Sequence, residues 1–399
     1  MDMSTVLISG ASIAGPALAY WLRRYGFDVT VVEKANTLRG GGYPIDIRGT
    51  ALDVVERMGL LPDLRAAHVD TRQITFLHPD GSPITSIRPD ALAGGVEGRD
   101  LEVRRGDLAQ ALYATVREDV EFLFNDTITA LDEHADGVDV TFRGGTHRTF
   151  DLVIGADGLH SGVRALVFGP EEQFHRYLGY CFAGFTMRND FGLSHEGVIR
   201  NTPGRAAVLY AVGESENLHG FLNFARPEPP FDAFRDPAAQ RDLVAEVFAE
   251  DGWEIPRMVT AMRAADDLFF DVVSQIHLPR WSSGRVALVG DAAYAPSFLT
   301  GQGTSIALVG AYMLAGELAT SPDHTTAFTA YEQATRPFVE LNQALVTEGN
   351  ASLFPSTAEA LAERNAALRN STSLPADTGR PAHSALQLPT FATPDAPAR

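Results

Sequence analysis

VLISGASIAGPALAYWLRRYGFDVTVVEK, residues Val6–Lys34, sets the architecture of the chain. Val6–Ser9 is an apolar run too short for a helix and reads as a buried strand. Gly10, Ser12 and Gly15 follow at the spacing of a dinucleotide-binding turn, with Ile13 and Ala14 between them. Pro16 suits a first helical turn, where its missing N–H costs nothing. Leu18, Ala19 and Leu22 put an apolar stripe on one side of that helix. Gly26 ends it, and Val29–Val32 reads as a second buried strand closing in Glu33, about twenty residues past the turn. This is a βαβ phosphate cradle: backbone N–H groups and a helix N-terminus take a pyrophosphate, and the acid takes a ribose hydroxyl. Ser12 stands where the usual fingerprint has its second glycine, and it fits if its hydroxyl points aside or donates to phosphate.

At 399 residues, 45% of them hydrophobic, the chain has room for two domains with sizeable cores. Its one cysteine, Cys181, allows no internal disulfide, which fits a reducing cytoplasm. Strand residues begin by Val6 with no basic segment before them, unlike a signal peptide, so a cytoplasmic location is expected. No apolar run reaches the roughly 18 residues of a membrane span. A net charge of −19 argues against nucleic acid and anionic membranes as partners.

Three glycines, Gly40–Gly42, precede Tyr43-Pro44 and suggest a loop where backbone lies close to a ligand. In the extended Ile45–Arg48 that follows, Asp46 and Arg48 share one face, as a surface ion pair or facing a ligand. Arg104 and Arg105 stand just before a helix opened by Asp107. Leu152–Ile154 is another buried strand, and Asp157 in the turn after it lies where parallel sheets bind ligands. From Tyr177 to Phe224 aromatic and β-branched residues alternate with polar ones, the pattern of an antiparallel sheet and a second domain. Phe185, Tyr210, Phe221 and Asn223 in this stretch are candidate substrate contacts. The strand VALVGD then ends in Asp291, and Gly301 and Gly303 beside an apolar helix make a further carbonyl- or anion-binding turn. Residues 326–369 read as a C-terminal helix, and the Pro-, Ser- and Thr-rich 370–399 as a tail poorly suited to a packed element. Two glycosylation sequons, at Asn350 and Asn370, are discounted without secretion.

The turn at Gly10–Gly15, DGLHSGVR at 157–164 and GDAAYAPSFLTGQG at 290–303, in this order, resemble the FAD-dependent aromatic hydroxylases of the p-hydroxybenzoate hydroxylase family. GGGYPIDIRGTAL and the chain length are similar to its tetracycline-inactivating hydroxylases. The resemblance implies an α/β fold, with a Rossmann-like FAD-binding domain and an inserted antiparallel-sheet substrate domain. The corresponding boundaries are 1–70, 100–175 and 276–325 for FAD, and 71–99 and 176–275 for substrate. It implies that Glu33 holds the adenosine ribose with Lys34 near it, and that Arg105 reaches the phosphates or ribityl chain. Asp157 is implied in FAD and NADPH binding, Asp291 in binding the ribityl hydroxyls, and Gly301, Gly303 and Thr304 in flanking the flavin pyrimidine. Asp46 is placed beside the flavin, with Arg48 stabilising an anionic substrate or reduced flavin, so the two are the candidate catalytic residues. The implied reaction is hydroxylation of an aromatic or polyketide-like small molecule. NADPH, or NADH, reduces FAD, oxygen adds, and a flavin hydroperoxide passes on a hydroxyl.

The chain departs from the family at three positions: Tyr294 where histidine is usual, Phe298 where proline is usual, and Ser305 where asparagine is usual. Phe298 is expected near the flavin edge, narrowing the pocket or stacking on substrate. There is no Cys-x-x-Cys, His-Glu-x-x-His or Gly-x-Ser-x-Gly, so metal and acyl-transfer chemistry have no motif support. A flavin halogenase would carry Trp-x-Trp-x-Ile-Pro, but here Asp251 replaces the first tryptophan and Trp253 reads as packing. The alternatives kept open are a non-catalytic flavin or ligand carrier, and a flavin-dependent reductase or oxidase.

Overall fold

The computed structural model describes residues 4–38, 42–89, 94–96, 98–233, 236–347, 353–370 and 379–392. Gly40 and Gly41 of the glycine run, Ala351 and Ser352 of one sequon, Ser371 and Thr372 of the other, and the ends of the tail lie outside them.

Strand β1 (Thr5–Ser9) lies at the heart of a six-stranded sheet. On one side of β1 come β2 (Asp28–Glu33) and β7 (Glu121–Phe124). On the other come β11 (Leu152–Gly155), β18 (Val286–Leu288) and the two-residue β17 (Ser282–Ser283). All neighbours run parallel except β17 against β18. Val6, Leu7 and Ile8 are wholly buried, which is why these strands read as unbroken apolar runs rather than alternating ones. Helix α1 (Ala14–Arg24) returns the chain from β1 to β2, and its buried stripe of Ala17, Leu18 and Leu22 packs into the same core. Gly26, at φ +89°, makes the turn after it. A three-stranded sheet of β8 (Ile128–His134), β9 (Gly137–Phe142) and β10 (His147–Phe150) leads into β11.

The second large sheet has seven strands in the order β16-β12-β15-β14-β13-β4-β5. Five come from the mid-chain: β12 (His175–Arg188), β13 (Glu196–Thr202), β14 (Arg205–Tyr210), β15 (Asn217–Ala225) and β16 (Phe269–Ile276). The earlier hairpin β4 (Gln73–Leu77) and β5 (Pro83–Ile87) joins the edge through a parallel β4–β13 pair. One face, with Cys181, Ala183, Phe185, Leu222 and Phe224, packs against two helices, residues 237–247 and 255–264. Alternation turns Phe182, Tyr210 and Phe221 to the opposite face. A two-stranded ribbon, β3 (Pro44–Ile47) with β6 (Leu101–Arg104), runs in the same stretch of chain that links the two large sheets.

The remaining helices are α2 (Thr50–Arg57), α3 (Leu61–Ala66), α4 (Arg105–Ala114), α5 (Gly162–Val167), α6 (Pro237–Val247), α7 (Ile255–Ala264), α8 (Asp291–Tyr294), α9 (Gly303–Thr320), α10 (His324–Ala344) and α11 (Ala358–Asn370). Helix α9 is buried on nearly every side, so its apolar residues form no stripe.

Two expectations for the C-terminus are corrected. Residues 326–369 do not form one helix: α10 ends at Ala344 and α11 starts at Ala358. The tail is not structureless where described, because residues 379–392 pack back along α2 and α9. Thr50 donates to the Leu386 carbonyl at 2.7 Å, Tyr312 to that of Pro389 at 2.6 Å, and Arg57 to the same Pro389 carbonyl at 2.8 Å. The segment is thus held through its backbone acceptors together with Leu386, Leu388 and Phe391, which pack against the main core.

Candidate active site

The turn after β1 is a cradle with no room for side chains. A Cβ on Gly10, whose φ is +107°, would lie 2.4 Å from the Ala156 carbonyl oxygen, and one on Gly15 would lie 1.9 Å from that of Gly10. Glu33 closes the turn from the end of β2, accepting from the N–H of Ala11 at 2.9 Å and of Ala35 at 2.8 Å. Each carboxylate oxygen keeps a lone pair for a ribose hydroxyl. Lys34 is exposed beside it. Arg105, in the first turn of α4, donates from Nη2 to Ser12 Oγ at 2.7 Å, so a cation stands over the phosphate turn. The serine in the second glycine position therefore points aside, onto this arginine.

Asp291 opens α8 directly after Gly290, which has φ +65°. Burial raises its carboxyl above the usual range, and the Arg105 charge opposes that shift. At the start of α9, a Cβ on Gly303 would lie 3.9 Å from Asp291 Oδ1. Gly301 is left-handed at φ +64°, and a Cβ there would lie 3.0 Å from Asp46 Oδ2. Gln302 between them is wholly buried, and its Oε1 has no partner among the described residues. The first N–H groups of an 18-residue helix, at Gly303, Thr304 and Ser305, point the positive end of its dipole here.

Asp46 and Arg48 form an ion pair at 2.6 Å, and Arg48 is only 7% exposed. The pair therefore belongs to the interior, not to a surface strand. The Arg48 backbone N–H donates to Ser305 Oγ at 3.1 Å, which gives the Ser305 departure a structural role. Tyr294 points away from the cradle. Its hydroxyl lies 3.0 Å from that of Tyr331 and fills the space that Gly310 leaves open, so it substitutes for histidine as a core residue.

Asp157 stands beside Gly10, but its carboxylate is turned inward. It accepts from Ser161 Oγ at 2.5 Å and from the Val163 N–H at 3.1 Å, anchoring α5. Burial raises its carboxyl, and these hydrogen bonds oppose the rise. Ser161 caps that helix by accepting from the Arg164 N–H at 3.0 Å. The wholly buried Arg164 donates to the Ala292 carbonyl at 2.9 Å and so ties this motif to α8. His160 bridges Glu171 at 2.7 Å and Asp271 of β16 at 3.1 Å.

Facing the glycine turns is a cluster of rings. Phe182 lies 4.8 Å from Phe298, 5.5 Å from Phe221, 6.0 Å from Phe269 and 6.3 Å from Tyr43, centroid to centroid. Phe298 is 41% exposed and borders Phe354 at 6.0 Å, so it forms an open edge of this cluster. Phe221 belongs to the cluster, and His219 joins its edge at 6.4 Å. Asn223 shares the Phe221 face of β15, is 2% exposed and has an Oδ1 without a partner among the described residues. Tyr210 lies on this side too, but its hydroxyl is engaged by Glu102. Phe185 is a correction. It sits on the other face of β12, 3% exposed and packed among the residues that cover α7, so it touches no ligand cleft. Tyr43, Phe182 and Phe269 were missed. Alternation in CFAGFTM offered Phe182 and Phe185 equally, and only the strand register decides between them.

Two clamped glycine turns, a ribose-ready acid and a buried aspartate fit a flavin dinucleotide, and the ring cluster keeps Phe269 and Phe298 exposed. Together they define a flavoprotein oxidoreductase. The family model described as FAD binding domain matches residues 3–344, and the chain belongs to that family. A flavin-dependent monooxygenase from an unknown prokaryotic organism is 39% identical over 364 residues, 90% of this chain and 94% of the relative. An uncharacterized protein of Mycobacterium tuberculosis is 46% identical over 348 residues, 87% of this chain and 93% of its own length. The crystal structure of the tetracycline destructase Tet(55) superposes with a TM-score of 0.84 at 36% identity, covering 98% of this chain and 99% of that one. The chain is an FAD-dependent monooxygenase. Asp251, in the halogenase half-motif, instead pairs with Arg200 at 3.0 Å and Arg205 at 2.6 Å. Among the described residues no helix is long and apolar enough to cross a membrane, and no group of three His, Cys, Asp or Glu side chains is placed to hold a metal.

Proposed function

We propose that the protein hydroxylates a flat, largely apolar aromatic or polyketide-like molecule, using NADPH (or NADH) as reductant and molecular oxygen as the source of the hydroxyl. The observation that carries this reading is the ring cluster of Tyr43, Phe182, Phe221, Phe269 and Phe298, whose Phe298 stands in the turn that runs into Gly301. We assign 1–70, 100–175 and 276–325 to the FAD half, and 71–99 and 176–275 to the substrate half. The similarity to a tetracycline destructase supports a fused-ring polyketide as the substrate class.

FAD, when bound, supplies the oxygen-activating chemistry, through a flavin hydroperoxide in this reading. The chain's own residues do the rest. The Gly10–Gly15 turn, Glu33 and Arg105 bind the dinucleotide end. Asp291 accepts from ribityl hydroxyls. The α9 N-terminus favours negative charge at the pyrimidine end. Arg48, buried and paired, stabilises negative charge more strongly than it would in water. The aromatic side chains orient the substrate ring and exclude water. The test is incubation with NADPH and a panel of polyketides under labelled oxygen. The expected result is a product heavier by one labelled oxygen. NADPH consumed into peroxide with every substrate would favour an oxidase, and no NADPH consumption at all would favour a carrier.

A further inference from the structure

In the β3–β6 ribbon, Asp46 stands directly opposite Glu102. Their side chains share one face, and like charges in that position repel. The groups facing the Glu102 carboxyl are Asp46 from its own ribbon, Arg48 just after that strand, Tyr210 from β14 and Thr71 from the loop before β4, while His68 of that loop meets only the Glu102 backbone. Asp100, just before β6, faces Arg48, as does His383 from the C-terminal segment. Arg48 is thus one guanidinium set among three carboxylates, and its bond at 2.6 Å goes to Asp46. Asp100 is occupied by the backbone N–H groups of Val96 at 2.8 Å and Gly49 at 3.3 Å. Glu102 has no cation in hydrogen-bond contact among the described residues. Instead both its oxygens lie 2.8 Å from the Tyr210 hydroxyl, which also lies 2.5 Å from Thr71 Oγ1.

We propose that Glu102 is a positioning residue of the flavin site: buried opposite Asp46 with no cation of its own, it keeps its proton at neutral pH, so that Asp46 holds Arg48 as its partner against the Gly301 turn. Two carboxylates held together with one cation between them cannot both ionise cheaply. The Tyr210 hydroxyl, donating to Glu102, ties the ribbon to the seven-stranded sheet that carries the aromatic cluster. Loss of the proton adds one further negative charge to a group that already holds Asp46 and Asp100 against the single Arg48, beside the helix end that would face the reduced cofactor. This inference rests on the reading of Asp46 and Arg48 as part of the flavin site, and its test needs neither substrate nor turnover.

Burial, reinforced by the Asp46 charge, pushes the Glu102 carboxyl up to about 8. Infrared difference spectra of the FAD-loaded protein, wild type minus Glu102→Gln, should show a protonated-carboxyl carbonyl band at pH 7. That band should fade with a midpoint near 8. Asp46→Asn should lower the midpoint by about one unit or more, because it removes the opposing charge. Glu102→Gln, which mimics the neutral acid, should keep FAD, and the pH dependence of its flavin midpoint potential should lose the wild-type inflection near 8. Absence of the band at pH 7, a midpoint unmoved by Asp46→Asn, or an inflection kept in Glu102→Gln would each overturn the proposal. None of these outcomes bears on whether the enzyme hydroxylates polyketides.

Discussion

Gly15→Ala is the sharpest test of the cradle. Gly15 is not at positive φ, so the cost of a methyl group there is steric rather than conformational. The added Cβ would lie 1.9 Å from the Gly10 carbonyl oxygen, and relieving that needs about 1.5 Å of movement to reach ordinary van der Waals contact. Neither partner is free to give. The Gly10 N–H donates to the Val32 carbonyl at 2.8 Å, and α1 is held by the wholly buried Ala17, Leu18 and Leu22. Overpacking of this kind costs about 1–3 kcal/mol. The displaced turn also carries the N–H groups that would meet the pyrophosphate, and a shift above 1 Å breaks hydrogen bonds that need about 2.7–3.2 Å. Two charge-assisted bonds at about 1.5–3 kcal/mol each amount to at least a hundredfold weaker FAD binding.

Gly26→Ala is the matched control. Gly26 has φ +89° with nothing within 4 Å of its would-be Cβ, so alanine there costs about 1–2 kcal/mol of backbone strain and no clash. The two variants should therefore lose comparable stability in thermal unfolding, while only Gly15→Ala loses flavin. The assays are flavin-to-protein absorbance after purification and fluorescence titration of the apoprotein with FAD. Gly15→Ala protein that binds FAD with wild-type affinity, or Gly26→Ala protein that loses it equally, would refute the steric argument.

Asp291→Ala should lower FAD affinity about ten- to a hundredfold without destabilising the apoprotein, since it removes a carboxyl whose burial opposes its charge; calorimetry of both forms checks this. Phe185→Ala should cost about 3–5 kcal/mol of stability at unchanged KM, whereas Phe221→Ala should raise KM, and urea unfolding with steady-state kinetics separates the two. His160 is held up to about 10 by its hydrogen bonds to Asp271 and Glu171. Its contribution is complete below its ordinary value near 6.5 and is lost as pH rises through about 10. With the side chain 49% exposed that contribution is screened, so the urea midpoint of wild type should fall modestly over this window, and that of His160→Gln should lack this component. Asp46→Ala and Arg48→Ala should retain FAD but slow its reduction or divert oxygen to peroxide, as stopped-flow absorbance with product and peroxide counts would show.

The cradle was legible because it is local. Gly10, Gly15 and Glu33 lie within one βαβ unit, where strand and helix geometry fix the spacing at which backbone and acid can meet one ligand. Glu102 was invisible for the opposite reason. Nothing in LEVRRG marks it, and it enters the site only through its pairing with Asp46 and the approach of Tyr210 from a different sheet. Tyr294 is similar: its sequence position shows only that histidine is replaced, and the missing side chain at Gly310 draws it into the core. Phe298, in contrast, sits in a turn fixed at both ends, by Ser297 and by Gly301, and its motif position alone carries the expectation that it lies near the flavin.

The C-terminal segment shows where composition misleads most. Proline, serine and threonine supply little apolar area, and by that measure residues after Asn370 have no reason to pack. What holds residues 379–392 is a set of partners already waiting on other elements: the Arg57 guanidinium, the Tyr312 hydroxyl, and the bare backbone of Gly49 and Gly316. A Cβ on Gly316 would lie 2.0 Å from the Phe391 ring, and one on Gly49 would lie 2.0 Å from the His383 carbonyl oxygen. Prolines lower the entropy lost when such a segment is ordered, and the carbonyl acceptors, the Phe391 ring in its glycine notch and the packing of Leu386 and Leu388 on the core together hold it. The segment then seats His383 against Arg48, with burial and the cations Arg48 and Arg380 pushing its imidazole down to about 3. The imidazole therefore stays neutral and adds no charge to the Asp46–Arg48 pair. The last described residues of the chain thus help wall the ion pair that stands against the Gly301 turn.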